Sequence, residues 1–154
     1  MSQMQSMSKE VGQTADAGFQ VGVRRTLPLS QEQAWQLLTS AEGLKWWIGT
    51  APNLEIREGE TFTSAEGVSG QFRVVKPQLQ LRLKWERSDW IKASTLQIRL
   101  ISAVRGRTTI SFHQDRLENP GTREQMKLYW EHVLDVMKEH ASIFTNGEGG
   151  HSNE

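Results

Sequence analysis

Hydrophobic residues recur along the chain at two spacings, and each spacing predicts its own kind of element. Phe19, Val21 and Val23 alternate with Gln20, Gly22 and Arg24, a period of two that predicts a first strand over about 18–26, ended by Pro28. Ser30-Gln31-Glu32-Gln33 then reads as a capping box, the Ser30 hydroxyl taking the Gln33 N–H while the Gln33 side chain takes the Ser30 N–H. It opens a short helix with Ala34, Trp35, Leu37 and Leu38 inward. Thr39-Ser40 caps a second, ending in Leu44-Lys45-Trp46-Trp47 before Gly49, Pro52 and Asn53 impose a loop.

From about 54 to 115 the period of two is nearly continuous. Leu54 and Ile56 precede a turn at Gly59, Phe62 sits in a short strand ending at Gly67, and Phe72 and Val74 alternate with Gln71 and Arg73 until Pro77. Leu79, Leu81, Leu83 and Trp85 then share one face, with Gln80, Arg82, Lys84 and Glu86 on the other. Leu96, Ile98 and Leu100 repeat the pattern, and after a turn at Arg105-Gly106 so do Thr108, Ile110 and Phe112. This stretch predicts about six strands, antiparallel because the connections are too short for crossovers.

The last element has the other spacing. Asn119-Pro120 is a cap followed by proline at the first helical position. Beyond it Met126, Trp130, Val133, Leu134, Met137, Ala141 and Phe144 recur every three or four residues, with Lys127, Glu131, Asp135, Lys138 and Glu139 opposite. About 25 residues give a helix of about 37 Å, long enough to cross a whole sheet. The fold class is therefore α+β: a curved antiparallel sheet of about seven strands around a long C-terminal helix, with two short helices after strand one.

Residues 1–17 lack hydrophobic period and read as a disordered leader, 18–144 as one domain, and 145–154 as a disordered polar tail. The leader has neither the apolar run nor the basic start of a secretory signal, and no stretch has the length of a membrane span; a cytoplasmic protein is the expectation. The absence of cysteine from the 154 residues excludes disulfides, thiolate nucleophiles and iron–sulfur clusters. Six Trp stand against one Tyr and five Phe, an excess of the side chain whose N–H most needs a partner when buried.

Several strings resemble the START/Bet v-type (SRPBCC) helix-grip superfamily, and within it the branch of activator of heat-shock protein 90 ATPase homologue-like proteins. They are Ser30 to Leu38 with Ala34-Trp35, Leu44-Lys45-Trp46-Trp47, Gly59-Glu60-Thr61-Phe62, Leu81 to Trp85, and above all Thr108 to Gln114, followed by Arg123, Met126 and Trp130 to Leu134. The resemblance covers about 18–144. It implies the helix-grip fold, and functions ranging from lipid carriers and polyketide cyclases to co-chaperone domains.

A curved sheet closed by a helix commonly leaves a small-molecule cavity. Trp35, Trp46, Trp47, Phe62, Phe72, Trp85, Phe112, Trp130, Leu134 and Met137 are the expected lining; the competing reading is a solid core made of the same side chains. Neighbouring helical positions point about 100° apart, so Trp46 and Trp47 cannot bury in the same place. Trp90, in a hairpin, has no evident partner. His113 falls out of phase with Ile110 and Phe112 and reads as a structural hydrogen-bonding group. His132 with Asp135 and Glu139 makes a candidate metal edge that a solvated helix flank explains more simply. Glu60 reads as a solvated hairpin carboxylate rather than a general acid. No metal, cofactor or catalytic residue is expected.

The formal net charge is zero, yet residues 73–107 hold nine basic and two acidic side chains. Arg73, Arg82, Lys84 and Arg99 fall on the outward phase, giving a basic outer sheet face that an acidic protein surface or anionic lipid could meet. Nucleic acid is disfavoured because no outward aromatics accompany these cations. The leading expectation is a non-enzymatic binding protein for an apolar or aromatic small molecule. The alternative is a co-chaperone-like interaction domain using the basic face, and the third a cyclase- or hydrolase-type enzyme. Oligomeric state is left open.

Overall fold

The computed structural model describes the backbone of residues 13–14 and 18–152, and side chains over 18–142. In chain order the elements are β1 (Gln13–Thr14), β2 (Gly18–Leu27), α1 (Gln31–Thr39), α2 (Ala41–Trp47), β3 (Thr61–Thr63), β4 (Val68–Lys76), β5 (Gln80–Arg87), β6 (Ser94–Ser102), a single 3-10 turn (Val104–Gly106), β7 (Thr108–Leu117) and α3 (Pro120–Ser152). β1 falls within the stretch read as a leader, whose other residues lie outside the described ones. The α3 backbone continues through the stretch read as a tail, and the side chain of Phe144 lies outside the described residues.

The sheet has seven strands in the order β1-β2-β7-β6-β5-β4-β3, every neighbouring pair antiparallel. The strand expected at Leu54–Ile56 is not formed: Asn53 adopts a left-handed φ of 64°, and the segment packs as irregular chain with both side chains half-buried against the core. The expected caps are present. Ser30 and Gln33 exchange hydrogen bonds of 3.0 and 3.1 Å, the Gly43 N–H donates to Ser40 Oγ at 3.0 Å, and the Thr122 N–H donates to Asn119 Oδ1 at 2.8 Å. Each cap satisfies a backbone donor that the helix leaves unpaired.

The period of two then decides what faces α3. Leu81, Leu83, Trp85, Leu96, Ile98, Ile110 and Phe112 are completely buried on the inner face, and α3 returns Met126, Trp130, Val133, Leu134, Met137 and Ala141 against them. α3 lies along β2 and β7 and also touches α2. Each large side chain so buried contributes about 1.5–3 kcal/mol. Among the described residues no helix is long and apolar enough to cross a membrane.

Candidate functional site

The interior between sheet and α3 is built around Trp47, Trp85 and Trp130, each 0% exposed. A buried indole N–H without an acceptor would cost about 1–3 kcal/mol, so the partners matter. Trp47 Nε1 donates to the carbonyl of Leu38 in the last turn of α1 at 3.0 Å, and Trp85 Nε1 to the carbonyl of Trp47 at the end of α2 at 2.9 Å. Trp130 Nε1 donates to Gln114 Oε1 at 2.7 Å; Gln114 Nε2 donates to Ser94 Oγ at 2.8 Å, and Ser94 Oγ to the carbonyl of Trp85 at 2.6 Å. These links are a chain of buried hydrogen bonds from α3 through β7, β6 and β5 to the two short helices.

The acceptors at its far end are chemically informative. The last four carbonyls of an α-helix have no partner within the helix, and they carry the negative end of its dipole. At the ends of α1 and α2 side-chain donors take four of these carbonyls: Ser40 Oγ bonds that of Leu37 at 2.9 Å, Tyr129 Oη that of Trp46 at 2.7 Å, and the Trp47 and Trp85 indoles those of Leu38 and Trp47. Burial pushes the Tyr129 hydroxyl above its usual pKa, the nearby Arg87 guanidinium partly opposing. Arg87 stands over the Tyr129 ring at 4.9 Å and the Trp85 ring at 5.6 Å, a cation–π arrangement on both.

Of the residues expected to line a cavity, Trp47, Phe62, Phe72, Trp85, Phe112, Trp130, Leu134 and Met137 are buried in one continuous core, while Trp35 and Trp46 are half-buried against it. Phe112 and Trp130 lie 4.8 Å apart, Trp85 and Trp130 5.3 Å, and Trp90 meets Trp85 edge-on at 5.5 Å, which supplies the partner the sequence did not. Phe62 and Phe72 form a separate contact at 5.4 Å. Trp46 turns away from Trp47 and meets the His140 ring at 5.3 Å.

His140 belongs to a groove outside the core. Where α1 and α2 meet α3, Leu29, Gln33, Gln36, Leu37, Ser40, Ala41, Glu42 and His140 enclose about 430 Å³. Its lining is mostly apolar, with polar side chains from Gln33, Gln36, Ser40, Glu42 and His140, and His140 Nε2 lies 3.8 Å from Glu42 Oε1. The close approach of α1 and α2 depends on Gly43, because a Cβ there would collide with the Leu37 carbonyl. On the other side of α2, Glu66 ties the β3–β4 hairpin to the loop after the helix: Thr50 donates its N–H at 2.6 Å and its hydroxyl at 2.9 Å. Those bonds, the backbone one first, hold the Glu66 carboxyl below the usual carboxylate range.

The remaining candidates are dispersed. His113 bonds Gln20 Oε1 across the β2–β7 pair at 3.0 Å, and Glu60 accepts from Arg57 at 3.0 Å. Asp135 accepts from Arg25 at 3.1 Å, and among the described residues no three His, Asp or Glu side chains gather as a metal site. Arg73, Arg82, Lys84 and Arg99 are exposed on the outer face of the sheet.

A curved antiparallel sheet gripping one long helix, with a helical corner after the first long strand, defines a helix-grip protein of the START/Bet v-type superfamily. Residues 28–142 match the family described as Activator of Hsp90 ATPase homolog 1-like protein, and the chain belongs to that family. CalU16 from Micromonospora echinospora is similar with a TM-score of 0.70 at 21% identity, over 84% of this chain and 81% of that one. DynU16, from the dynemicin biosynthetic locus, gives 0.70 at 16% identity over 80% of this chain, which spans only 47% of DynU16. PFC0360w, an HSP90 activator from Plasmodium falciparum, gives 0.65 at 19% identity over 77% of this chain and 94% of that one. At these identities the likeness is one of fold. Comparison with curated proteins found no match.

Proposed function

We propose that the protein is a binding module for an apolar or aromatic small molecule, seated in the groove between the α1–α2 corner and α3. The observation that carries this reading is the groove itself. Its volume of about 430 Å³ lies within the ordinary range for small-molecule sites, about 300–1,000 Å³. Leu29, Leu37 and Ala41 offer apolar surface, and Ser40, Glu42 and His140 offer polar atoms that could fix orientation. The interior offers less: its indole donors already have protein acceptors, and a ligand there would have to displace them. The aromatic core instead supports the site as a rigid wall, through Trp46 against His140 and Tyr129 against the end of α2.

The test is titration with the neutral, apolar aromatic probe N-phenyl-1-naphthylamine, comparing the natural protein with Ala41→Trp, which fills the groove from an exposed position. Saturable binding that weakens at least tenfold in the variant, with the unfolding midpoint retained, is the expected result. Equal affinity in the two proteins, or no saturable binding, would contradict the reading.

A further inference from the structure

Among the described residues no helix covers the outer face of the sheet, and its charges are arranged by an irregularity in β4. Phe72 pairs with Leu83 and Val74 with Arg82, so Arg73 is an extra residue opposite no partner, a β-bulge. A bulge re-aims the side chains beside it, and here it brings Arg73 and Val74, neighbours in the chain, to the same hollow. That hollow encloses about 320 Å³ and is lined by Arg73, Val74, Arg82, Lys84 and Thr95. Without the bulge, Val74 would alternate away from Arg73.

All three cations are exposed, and among the described residues none is in an ion pair. The ion pairs among the described residues involve Arg25, Arg57, Arg123 and His140 instead. Glu86 follows on β5, and Asp115 lies beyond Thr95 on the neighbouring strand, yet neither pairs with these cations. Arg82 and Lys84 stand two residues apart on one face of β5 and Arg73 on the strand beside them, so the hollow concentrates three positive charges where an anion would meet them. A carboxylate offsets one charge. A phosphate monoester carries about −1.5 to −2 near pH 7 and three strong acceptor oxygens, and arginine forks bind such oxygens in pairs. The hollow also leaves room beside a phosphate for its organic group, with Val74 as an apolar wall.

We propose that Arg73, Arg82 and Lys84, with Val74 and Thr95, form a binding site for the phosphate monoester group of a small organic molecule. The site is on a different surface from the groove between α1, α2 and α3, and stands independently of it. Lys84 and the two arginines neutralise and grip the phosphate, and the Val74 side accepts the ester's organic part.

The probe is phenyl phosphate, titrated at pH 7.5 and constant ionic strength while backbone amide shifts are followed by NMR. Saturable shifts confined to residues 73–74, 82–84 and 95 are expected, with benzoate at least tenfold weaker. Affinity should fall at least tenfold in Arg82→Gln with Lys84→Gln, both exposed positions, and stay unchanged in Arg105→Gln, an exposed cation in the β6–β7 turn. Non-saturating shifts at every exposed cation, benzoate binding as tightly as phenyl phosphate, or indifference to the double substitution would overturn the proposal. So would a phosphate-free Asp/Glu peptide that binds more tightly than phenyl phosphate, which would assign this face to protein association.

Discussion

The indole of Trp85, on β5, donates its N–H at 2.9 Å to the backbone carbonyl of Trp47, the last residue of α2. One tryptophan thereby closes the helix end formed by another, and Trp47 does the same for Leu38 of α1. The excess of indoles thus has a structural use: two of the buried ones supply donors to the orphan carbonyls of a helical corner. The corner they fix is one wall of the proposed ligand groove.

Gln114 is the joint of this chain of hydrogen bonds, accepting from Trp130 and donating to Ser94. Gln114→Leu leaves the Trp130 N–H without an acceptor in the core, and the expected loss is about 1–3 kcal/mol by denaturant unfolding. Combining it with Trp130→Phe removes the orphaned donor, so the double variant should lose less than the sum of the singles. Strict additivity would show that the two side chains do not work together.

Tyr129 is the chain's one tyrosine, so its ionisation can be followed by absorbance without overlap from another phenol. Burial raises its pKa above the usual value of 10.0, and the midpoint should lie above that of the unfolded protein. The unfolded chain then releases the proton first. Stability is fully present below about pH 10 and is lost as pH rises through the folded value. Tyr129→Phe should remove that alkaline slope and cost about 0.5–1.5 kcal/mol at neutral pH through the lost bond to Trp46. A normal midpoint would contradict the packing described.

Glu66 works in the opposite sense. Its carboxyl is held below the usual 4.5 by Thr50, so its contribution is present above that pH and is lost as pH falls through the lower folded value. The unfolding midpoints of the natural protein and Glu66→Gln should differ at pH 7 and converge in acid. A difference that persists unchanged in acid would show that the charge is not what ties the hairpin to the α2 loop.

Strands, caps and the long helix were legible because each rests on short-range pattern: alternation in Leu81 to Trp85, the Ser30–Gln33 box, the three-and-four spacing from Met126 to Ala141. The polar interior was not. Gln114 shares the phase of Ile110 and Phe112, yet a glutamine reads as buried only once its partners are known, and these lie 16 and 20 residues away in sequence. The β4 bulge was hidden for a similar reason, since strict alternation places Val74 inward with Phe72 and only the pairing with β5 reveals the extra residue. The groove depends on how the α1–α2 corner docks on α3, a relationship between Leu37, Ala41 and His140 that no local period encodes.

The most direct measurement is a set of isotope-edited NOEs between bound N-phenyl-1-naphthylamine and the protein's methyl groups. Contacts to Leu29, Leu37 and Ala41, with silence from the core, are the predicted result. Contacts to Leu83, Leu134 and Met137 would place the ligand between sheet and helix, among the buried side chains of the core, and would contradict the account.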